Sequence, residues 1–370
     1  MIRSLLVANR GEIAVRIIRA AHERGIRAIA VYSEPDRLAP HVLAADEAYH
    51  IGEAPSSESY LRAEGLIEVA KATGADAIHP GYGFLSERSS FAKAVEDEGL
   101  IFIGPSSEVI EVMGDKIQAR RYMQDVGIPI IPGITEPVST LEAALEVAHE
   151  IGFPVLVKAA AGGGGKGMRM VEEPSELKAA FETAQREAFS SFGDRTLYLE
   201  QALKRPRHIE VQILADTQGS VLHLGERECS IQRRHQKLVE ESPSIALSTA
   251  ERESIGQTAV QAATAIGYTG AGTVEFLYED GNYYFLEMNT RIQVEHPVTE
   301  LVTGIDLVDW QIRIAAGESL DFTQEEVRIS GHAIECRITA ENPRMGLLPS
   351  TGIVTHLEIP TGAGVRWDGG

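Results

Sequence analysis

Apolar runs alternate with amphipathic stretches in the first third of the chain. Residues 4–8 form a short apolar run that stops at Asn9-Arg10-Gly11. Residues 12–23 then set Ile13, Ile17 and Ala21 at helical spacing, with Val15 and Ile18 beside them, and Gly25 supplies a stop. Residues 27–32 read as the next strand. A second round predicts helices near 61–73 and 87–98, and strands at 75–79 and 100–103. Strands separated by amphipathic helices predict βαβ units, hence a doubly wound parallel sheet. The first turn has one glycine where a dinucleotide fingerprint has three, so a nicotinamide site is not expected.

Pro132-Gly133 and Pro137 mark a break in this rhythm. Beyond it the pattern predicts a small block: a strand at 155–160, a glycine loop, a strand at 168–171, a helix at 174–189 and a strand at 196–201. From residue 204 the signals turn antiparallel. Residues 208–215 and 221–225 flank Asp216-Thr217-Gln218-Gly219, and residues 272–278 and 283–288 flank Asp280-Gly281. The expected organisation is an N-terminal α/β domain over 1–112, a linker over 113–134, a small glycine-loop lid over 135–203 and a larger α+β domain over 204–370.

Composition narrows the partners. There are 34 Lys and Arg against 54 Asp and Glu, a net charge of −20. Such a chain repels a nucleic-acid backbone at long range, though a few local cations still hold a small anion. The two cysteines, Cys229 and Cys336, are too few for a disulfide framework and fit a reducing compartment. The longest charge-free run, 254–274, carries Gln257 and Gln261 and does not read as a membrane span. The short apolar run at the N-terminus does not read as a signal-peptide core. A cytoplasmic protein is expected, with neither nucleic acid nor membrane as partner.

The candidate chemistry begins at Ala161-Gly162-Gly163-Gly164-Gly165-Lys166-Gly167. Four consecutive glycines are costly to order and suit close approach of main-chain N–H groups to phosphate. A flexible hairpin tip explains them equally well. Lys158, in the strand entering the loop, tips the balance, because a lysine among Val155, Leu156 and Val157 needs an anion when buried.

Glu275 and Glu287 interrupt two apolar strands. Carboxylates about 4 Å apart repel by roughly 4 kcal/mol at an effective dielectric of about 20, and a hard dication reverses that sign. Register decides the matter. A two-residue turn at Asp280-Gly281 pairs 279 with 282 and puts the glutamates on opposite faces; a three-residue loop with Gly281 left-handed puts them on one face, as a metal site requires. A solvent-facing pair is the plainer reading. Glu287, Asn289, Arg291, Gln293 and Glu295 then follow at strict period two, which in an extended chain gives one polar face. This set mixes metal ligands, a guanidinium suited to a planar oxyanion, an amide and a proton acceptor. Arg233-Arg234-His235-Gln236-Lys237 is a cationic island, and His79-Pro80-Gly81-Tyr82-Gly83-Phe84-Leu85-Ser86-Glu87 follows a predicted strand, where α/β sheets place ligands.

These motifs, with Asn9-Arg10-Gly11-Glu12, Met113-Gly114-Asp115-Lys116, the run from Glu287 to Pro297 and Gly331-His332-Ala333-Ile334-Glu335-Cys336-Arg337, resemble biotin carboxylase of the ATP-grasp superfamily. The resemblance implies ATP-dependent activation of bicarbonate as carboxyphosphate, then carboxylation of N1′ of biotin on a carrier protein. It implies that Lys116, Lys158, Gly164, Gly165, Glu200, Gln201, Ala202, Leu203, His208, Gln232 and His235 hold ATP. Glu275, Glu287 and Asn289 bind Mg²⁺ or Mn²⁺ on the same grounds. Lys237, Arg291, Gln293 and Val294 hold bicarbonate, Glu295 deprotonates it, Arg291 stabilises the biotin enolate, and Arg337 holds phosphate or biotin. It further implies a homodimer with Arg16, Arg19, Glu23 and Arg366 near the interface, partnered by a carboxyltransferase. The family's third domain extends past Trp367-Asp368-Gly369-Gly370, so a piece of that domain is expected here. An inactive fragment, or an ATP-grasp ligase joining a carboxylate to another amine, are the competing readings.

Overall fold

The computed structural model describes residues 1–133, 137–159, 168–192, 195–234 and 236–370. The chain divides into two compact units. One comprises Met1–Leu85, Val95–Ile103 and Glu335–Gly370, the other Ser86–Ala94 and Gly104–Ile334.

The first unit is built on β1 (Ser4–Val7), β2 (Arg27–Ser33), β3 (Glu47–Gly52), β4 (Ala77–His79) and β5 (Ile101–Phe102). They form a parallel sheet in the order β3-β2-β1-β4-β5. β1 is buried at every position, which is why it reads as an unbroken apolar run. β3 escaped the pattern because it is an edge strand with exposed residues and has no such run. The helix Gly11–Glu23 buries Ile13, Ala14, Ile17, Ile18 and Ala21. It stops where expected: Gly25 has φ +68°, its N–H donates to His22 O at 2.9 Å, and the Ile26 N–H donates to Ala21 O at 2.9 Å. Strand order reverses between β1 and β4. There Asn9 Nδ2 donates to Pro80 O at 2.7 Å and to Tyr82 O at 2.8 Å, fixing the loop after β4. A Cβ at Gly81, where φ is +62°, would lie 2.9 Å from Asn9 Nδ2, so only glycine fits.

The second unit holds two antiparallel sheets. β6 (Val155–Ala159), β7 (Arg169–Val171) and β8 (Leu197–Gln201) run in the order β7-β6-β8. Val155, Val157, Val171, Leu197 and Leu199 pack there with Phe181 and Ala184 of the helix Leu177–Phe192. The larger sheet has β9 (Arg207–Ala215), β10 (Val221–Arg233), β11 (Gln236–Ser242), β12 (Gly270–Glu279) and β13 (Asn282–Asn289) in the order β13-β12-β9-β10-β11. A sixth strand, Ala333–Cys336, lies beside β11, and the chain leaves the unit within it.

Alternation along these strands separates two faces. Ile209, Val211, Ile213, Val274, Phe276, Phe285 and Met288 enter a core shared with Ile255, Ala259 and Ala262 of the helix Thr249–Ala265. The residues between them, His208, Glu210, Gln212, Thr273 and Glu275, belong to the other face. Among the described residues no helix is long and apolar enough to cross a membrane.

Candidate active site

The hairpin β12–β13 settles the register question in an unexpected way. Asp280 (φ +49°) and Gly281 (φ +84°) form a two-residue turn, and Glu279 pairs with Asn282. The three-residue loop required for a shared face is therefore absent. The register instead slips between Phe276 and Glu275: Phe276 faces Phe285, while Glu275 faces Glu287. Leu286 is the additional residue, a β-bulge that resets the pleat. Its signature is that Phe285 and Met288, three positions apart, both enter the core. Glu275 and Glu287 consequently stand opposite each other on one face.

Pairing extends this row across four strands. Glu287 faces Glu275, Glu275 faces Glu210, and Glu210 faces Arg227. The extended run expected from Glu287 to Glu295 is shorter than its period-two pattern implied. β13 ends at Asn289, and the chain passes irregularly to the helix His296–Thr303. Beyond Asn289 the pleat no longer aligns the side chains; hydrogen bonds do. Gln293 Nε2 donates to Glu275 Oε1 at 2.8 Å, and Glu295 Oε1 accepts from Lys237 Nζ at 2.5 Å. Arg291 Nη2 donates to Asn289 Oδ1 at 3.1 Å, and Arg291 Nε lies 3.0 Å from Glu87 Oε2. Val294 is half-buried in the turn.

Lys237 is the hub. Its ammonium contacts Glu210, Glu275 Oε1 at 2.9 Å and Glu295. Burial alone would depress its pKa, but the three carboxylates reverse this and raise it. Burial likewise would raise the Glu275 carboxyl, yet Lys237 and His208 hold it well below the usual range. His208 Nε2 lies 2.8 Å from Glu275 Oε2. Burial opposes charge on this imidazole, but Glu275 raises its pKa overall. Gln232 Nε2 donates to Cys229 O at 2.8 Å and sits 3.1 Å from His208 Nδ1, which orients the ring. Glu287 is raised, first by burial and then by the facing Glu275. That strain is what a dication relieves. With the amide oxygen of Asn289, whose Nδ2 donates to Glu275 Oε1 at 2.8 Å, these carboxylates form a hard oxygen set suited to Mg²⁺ or Mn²⁺.

The remaining candidates are arranged on neighbouring elements. Lys116 opens the helix Lys116–Asp125 and lies 3.5 Å from Glu287 Oε2. Lys158 does have the anion its burial demands, and the anion is Glu200, whose other oxygen accepts from Arg120. Gln201 and Ala202 are pinned where β8 ends, their N–H groups donating to Pro132 O at 2.8 Å and Pro154 O at 2.9 Å; Leu203 follows, half-buried. Gly164, Gly165 and His235 lie outside the described residues. Arg337 belongs to the first unit, where its charge acts on Glu12, a carboxyl raised to about 7 by burial and by Asp368. In that unit Arg16 is buried, Arg19 and Glu23 are exposed on the same helix, and Arg366 pairs with Asp368 at 2.6 Å.

Sequence reasoning missed Glu210, Arg227 and Arg120, and used Glu87 only as the end of a loop. A signal existed for the first: His208, Glu210 and Gln212 alternate with Ile209, Val211 and Ile213 inside a predicted strand. Arg227 offered less, since an arginine in Glu226-Arg227-Glu228 reads as solvated surface.

Residues 1–110 match the family described as biotin carboxylase, N-terminal domain. Residues 115–323 match carbamoyl-phosphate synthase L chain, ATP binding domain. The chain is 54% identical over 367 residues to biotin carboxylase 2 of Bacillus subtilis, covering 99% of this chain and 82% of that protein. It is 52% identical over 369 residues to biotin carboxylase of Haemophilus influenzae, covering 100% and 82%. Biotin carboxylase of Campylobacter jejuni, solved as a β,γ-ATP complex, superposes with a TM-score of 0.94 at 50% identity, covering 99% of this chain and 82% of that one. The biotin carboxylase domain dimer of Hydrogenobacter thermophilus 2-oxoglutarate carboxylase, solved with MgADP and bicarbonate, gives 0.93 at 52% identity, covering 99% and 81%. With matches of this extent, and with an N-terminal parallel sheet followed by a mixed α/β unit, the chain has the ATP-grasp fold and belongs to the biotin carboxylase family.

Proposed function

We propose that the chain carboxylates biotin on a carrier protein or domain, using ATP and bicarbonate, with carboxyphosphate as intermediate. The observation that carries this reading is the convergence of Lys237, Gln293 and Glu295 around Glu275. Lys237 reaches both Glu275 and the proton acceptor Glu295, and the Gln293 amide donates to the same Glu275, so a cation, an amide donor and a proton acceptor are gathered around one carboxylate. Lys237, Arg291, Gln293 and Val294 hold bicarbonate. Glu295 takes its proton, and the resulting oxygen nucleophile attacks the γ-phosphate as ADP leaves. Lys116, Lys158, Gly164, Gly165, Glu200, Gln201, Ala202, Leu203, His208, Gln232 and His235 bind the nucleotide. Glu275, Glu287 and Asn289 would hold Mg²⁺ or Mn²⁺, which when bound neutralises phosphate charge. Arg291 then stabilises the biotin enolate, and Arg337 binds phosphate or biotin. Phosphoryl transfer needs positioned charge more than covalent help, and these residues supply it. The carboxyl group passes onward through a partner carboxyltransferase, and the chain works in the cytoplasm as a homodimer with Arg16, Arg19, Glu23 and Arg366 near the interface.

The test is ADP release with and without free biotin and bicarbonate. Release that depends on both, and carboxylation abolished in Arg291→Ala, are expected. Ammonia-dependent turnover without biotin would overturn the proposal in favour of another carboxylate–amine ligase, and nucleotide binding without turnover in favour of an inactive fragment.

A further inference from the structure

Arg227 has no part in the reaction as assigned, yet it is the most heavily bonded side chain beside it. It is fully buried, and all five of its N–H donors are used. Nε donates to Glu210 Oε1 at 2.5 Å. Nη1 donates to Gln212 Oε1 at 2.6 Å and Thr299 Oγ1 at 2.9 Å. Nη2 donates to Thr273 Oγ1 at 3.1 Å and Gln293 Oε1 at 3.1 Å. One guanidinium thus joins β9, β12, the irregular stretch after β13 and the helix His296–Thr303.

Two of these partners lead to the bicarbonate residues. Gln293 lies where the pleat has stopped directing side chains, so something else must orient its amide. A guanidinium only donates and a carboxylate only accepts. With Arg227 on one side and Glu275 on the other, the Gln293 oxygen must face Arg227 and its NH₂ must face Glu275. The flipped amide would set donor against donor and acceptor against acceptor. Glu210 is held in the same way: one oxygen is fixed by Arg227 and the other by Lys237. The place of the Lys237 ammonium is set through it.

Resting on the proposed bicarbonate role of Gln293 and Lys237, we propose that Arg227 is a positioning residue for bicarbonate. It fixes which way the Gln293 amide faces, oxygen toward Arg227 and NH₂ toward Glu275, and it anchors the Glu210 carboxylate that pairs with Lys237. Lysine can keep the charge and the Glu210 contact, but it lacks the rigid fork needed to reach Gln293 as well.

The test uses the whole chain and steady-state ADP release with free biotin. Arg227→Lys is expected to raise the bicarbonate KM about tenfold, the value of one charge-assisted hydrogen bond, and to leave the ATP KM within about twofold. Gln293→Ala is expected to raise the bicarbonate KM, and the double variant to raise it no further. An unchanged bicarbonate KM in Arg227→Lys, equal rises in both KM values, or additive effects in the double variant would overturn the inference. An unchanged bicarbonate KM in Gln293→Ala would overturn the underlying bicarbonate reading itself. Should Arg227→Lys not fold, Arg227→Met/Glu210→Met takes its place, since it leaves no lone buried charge between the two positions. The same KM split is expected there, and a native bicarbonate KM would again overturn the inference.

Discussion

Lys237→Gln should invert the pH dependence of stability. In the native protein the Glu275 carboxyl sits well below its ordinary value because Lys237 and His208 outweigh its burial. A depressed carboxylate contributes stability that is fully present above the unfolded value of 4.5 and is lost as pH falls through the folded value. Without the ammonium, Glu275 still faces His208 and Glu210 still pairs with Arg227, but three carboxylates lose the cation they share. One carboxyl then holds a proton, its folded pKa lies above the unfolded one, and stability drops as pH rises. An uncompensated buried charge costs about 3–5 kcal/mol, or roughly 6–20 °C in Tm for a unit of this size. The raised His208 contributes stability below 6.5 that is lost as pH rises through its folded value. It does so in both proteins, so the quantity to follow is the Tm difference between them. Melting curves at matched ionic strength should show the full deficit at pH 8 and a smaller one at pH 5.5. A deficit constant across that range, or one growing as pH falls, would refute the reasoning.

Glu200→Gln leaves Arg120 and Lys158 without their shared anion. The variant should melt lower than the native chain, because two cations lose the carboxylate they share; a native Tm would count against it. Glu287→Gln should weaken Mg²⁺ binding at least tenfold in titration calorimetry with ADP present, by removing a charged oxygen donor, and native affinity would remove Glu287 from the metal set. Ser248 caps the helix Thr249–Ala265 in a reciprocal pair with Glu251. Ser248→Ala should cost about 1 kcal/mol in chemical denaturation. Glu251, lowered to about 2 by Ser248 and Tyr278, contributes stability above 4.5 that is lost as pH falls toward 2. A native denaturation midpoint in Ser248→Ala would exclude the cap.

The order of strands and helices was legible because most are buried on at least one side and carry clean periods. β1 and the helix Gly11–Glu23 are examples, down to the stop at Gly25. β3 was not legible, because an edge strand with exposed residues lacks an apolar run. Within the site, residue types were easier to read than their geometry. Glu275 and Glu287 were recognisable as a pair, but the device that unites them was misassigned to the turn. A bulge at Leu286 leaves no mark in composition, since leucine is equally at home in a regular strand. The period-two run to Glu295 was real in sequence and real in outcome, yet only its first two members owe their direction to a pleat. The rest are steered by Arg227, Glu275 and Lys237, long-range partners that no local pattern reveals.

Those partners also explain how a chain with net charge −20 can be built to receive polyanions. Each proposed substrate-binding cation with a described ion pair has a carboxylate as its partner. Lys116 faces Glu287, Lys158 faces Glu200, Lys237 faces Glu210, Glu275 and Glu295, and Arg291 faces Glu87. The half-buried Lys158, Lys237 and Arg291 are thus held at modest cost before any ligand arrives, and the exposed Lys116 is held loosely beside them. A phosphate must then displace a carboxylate rather than fill a bare positive pocket. A dication at Glu275 and Glu287 would act on the same balance from the other side, by removing the charge that holds Lys116. Nucleotide and metal should therefore bind cooperatively through the Lys116–Glu287 pair. Lys116→Met ought to weaken that coupling, measured as the ratio of ADP affinities with and without Mg²⁺. An unchanged ratio would mean that the exchange of partners at Glu287 plays no part in loading the site.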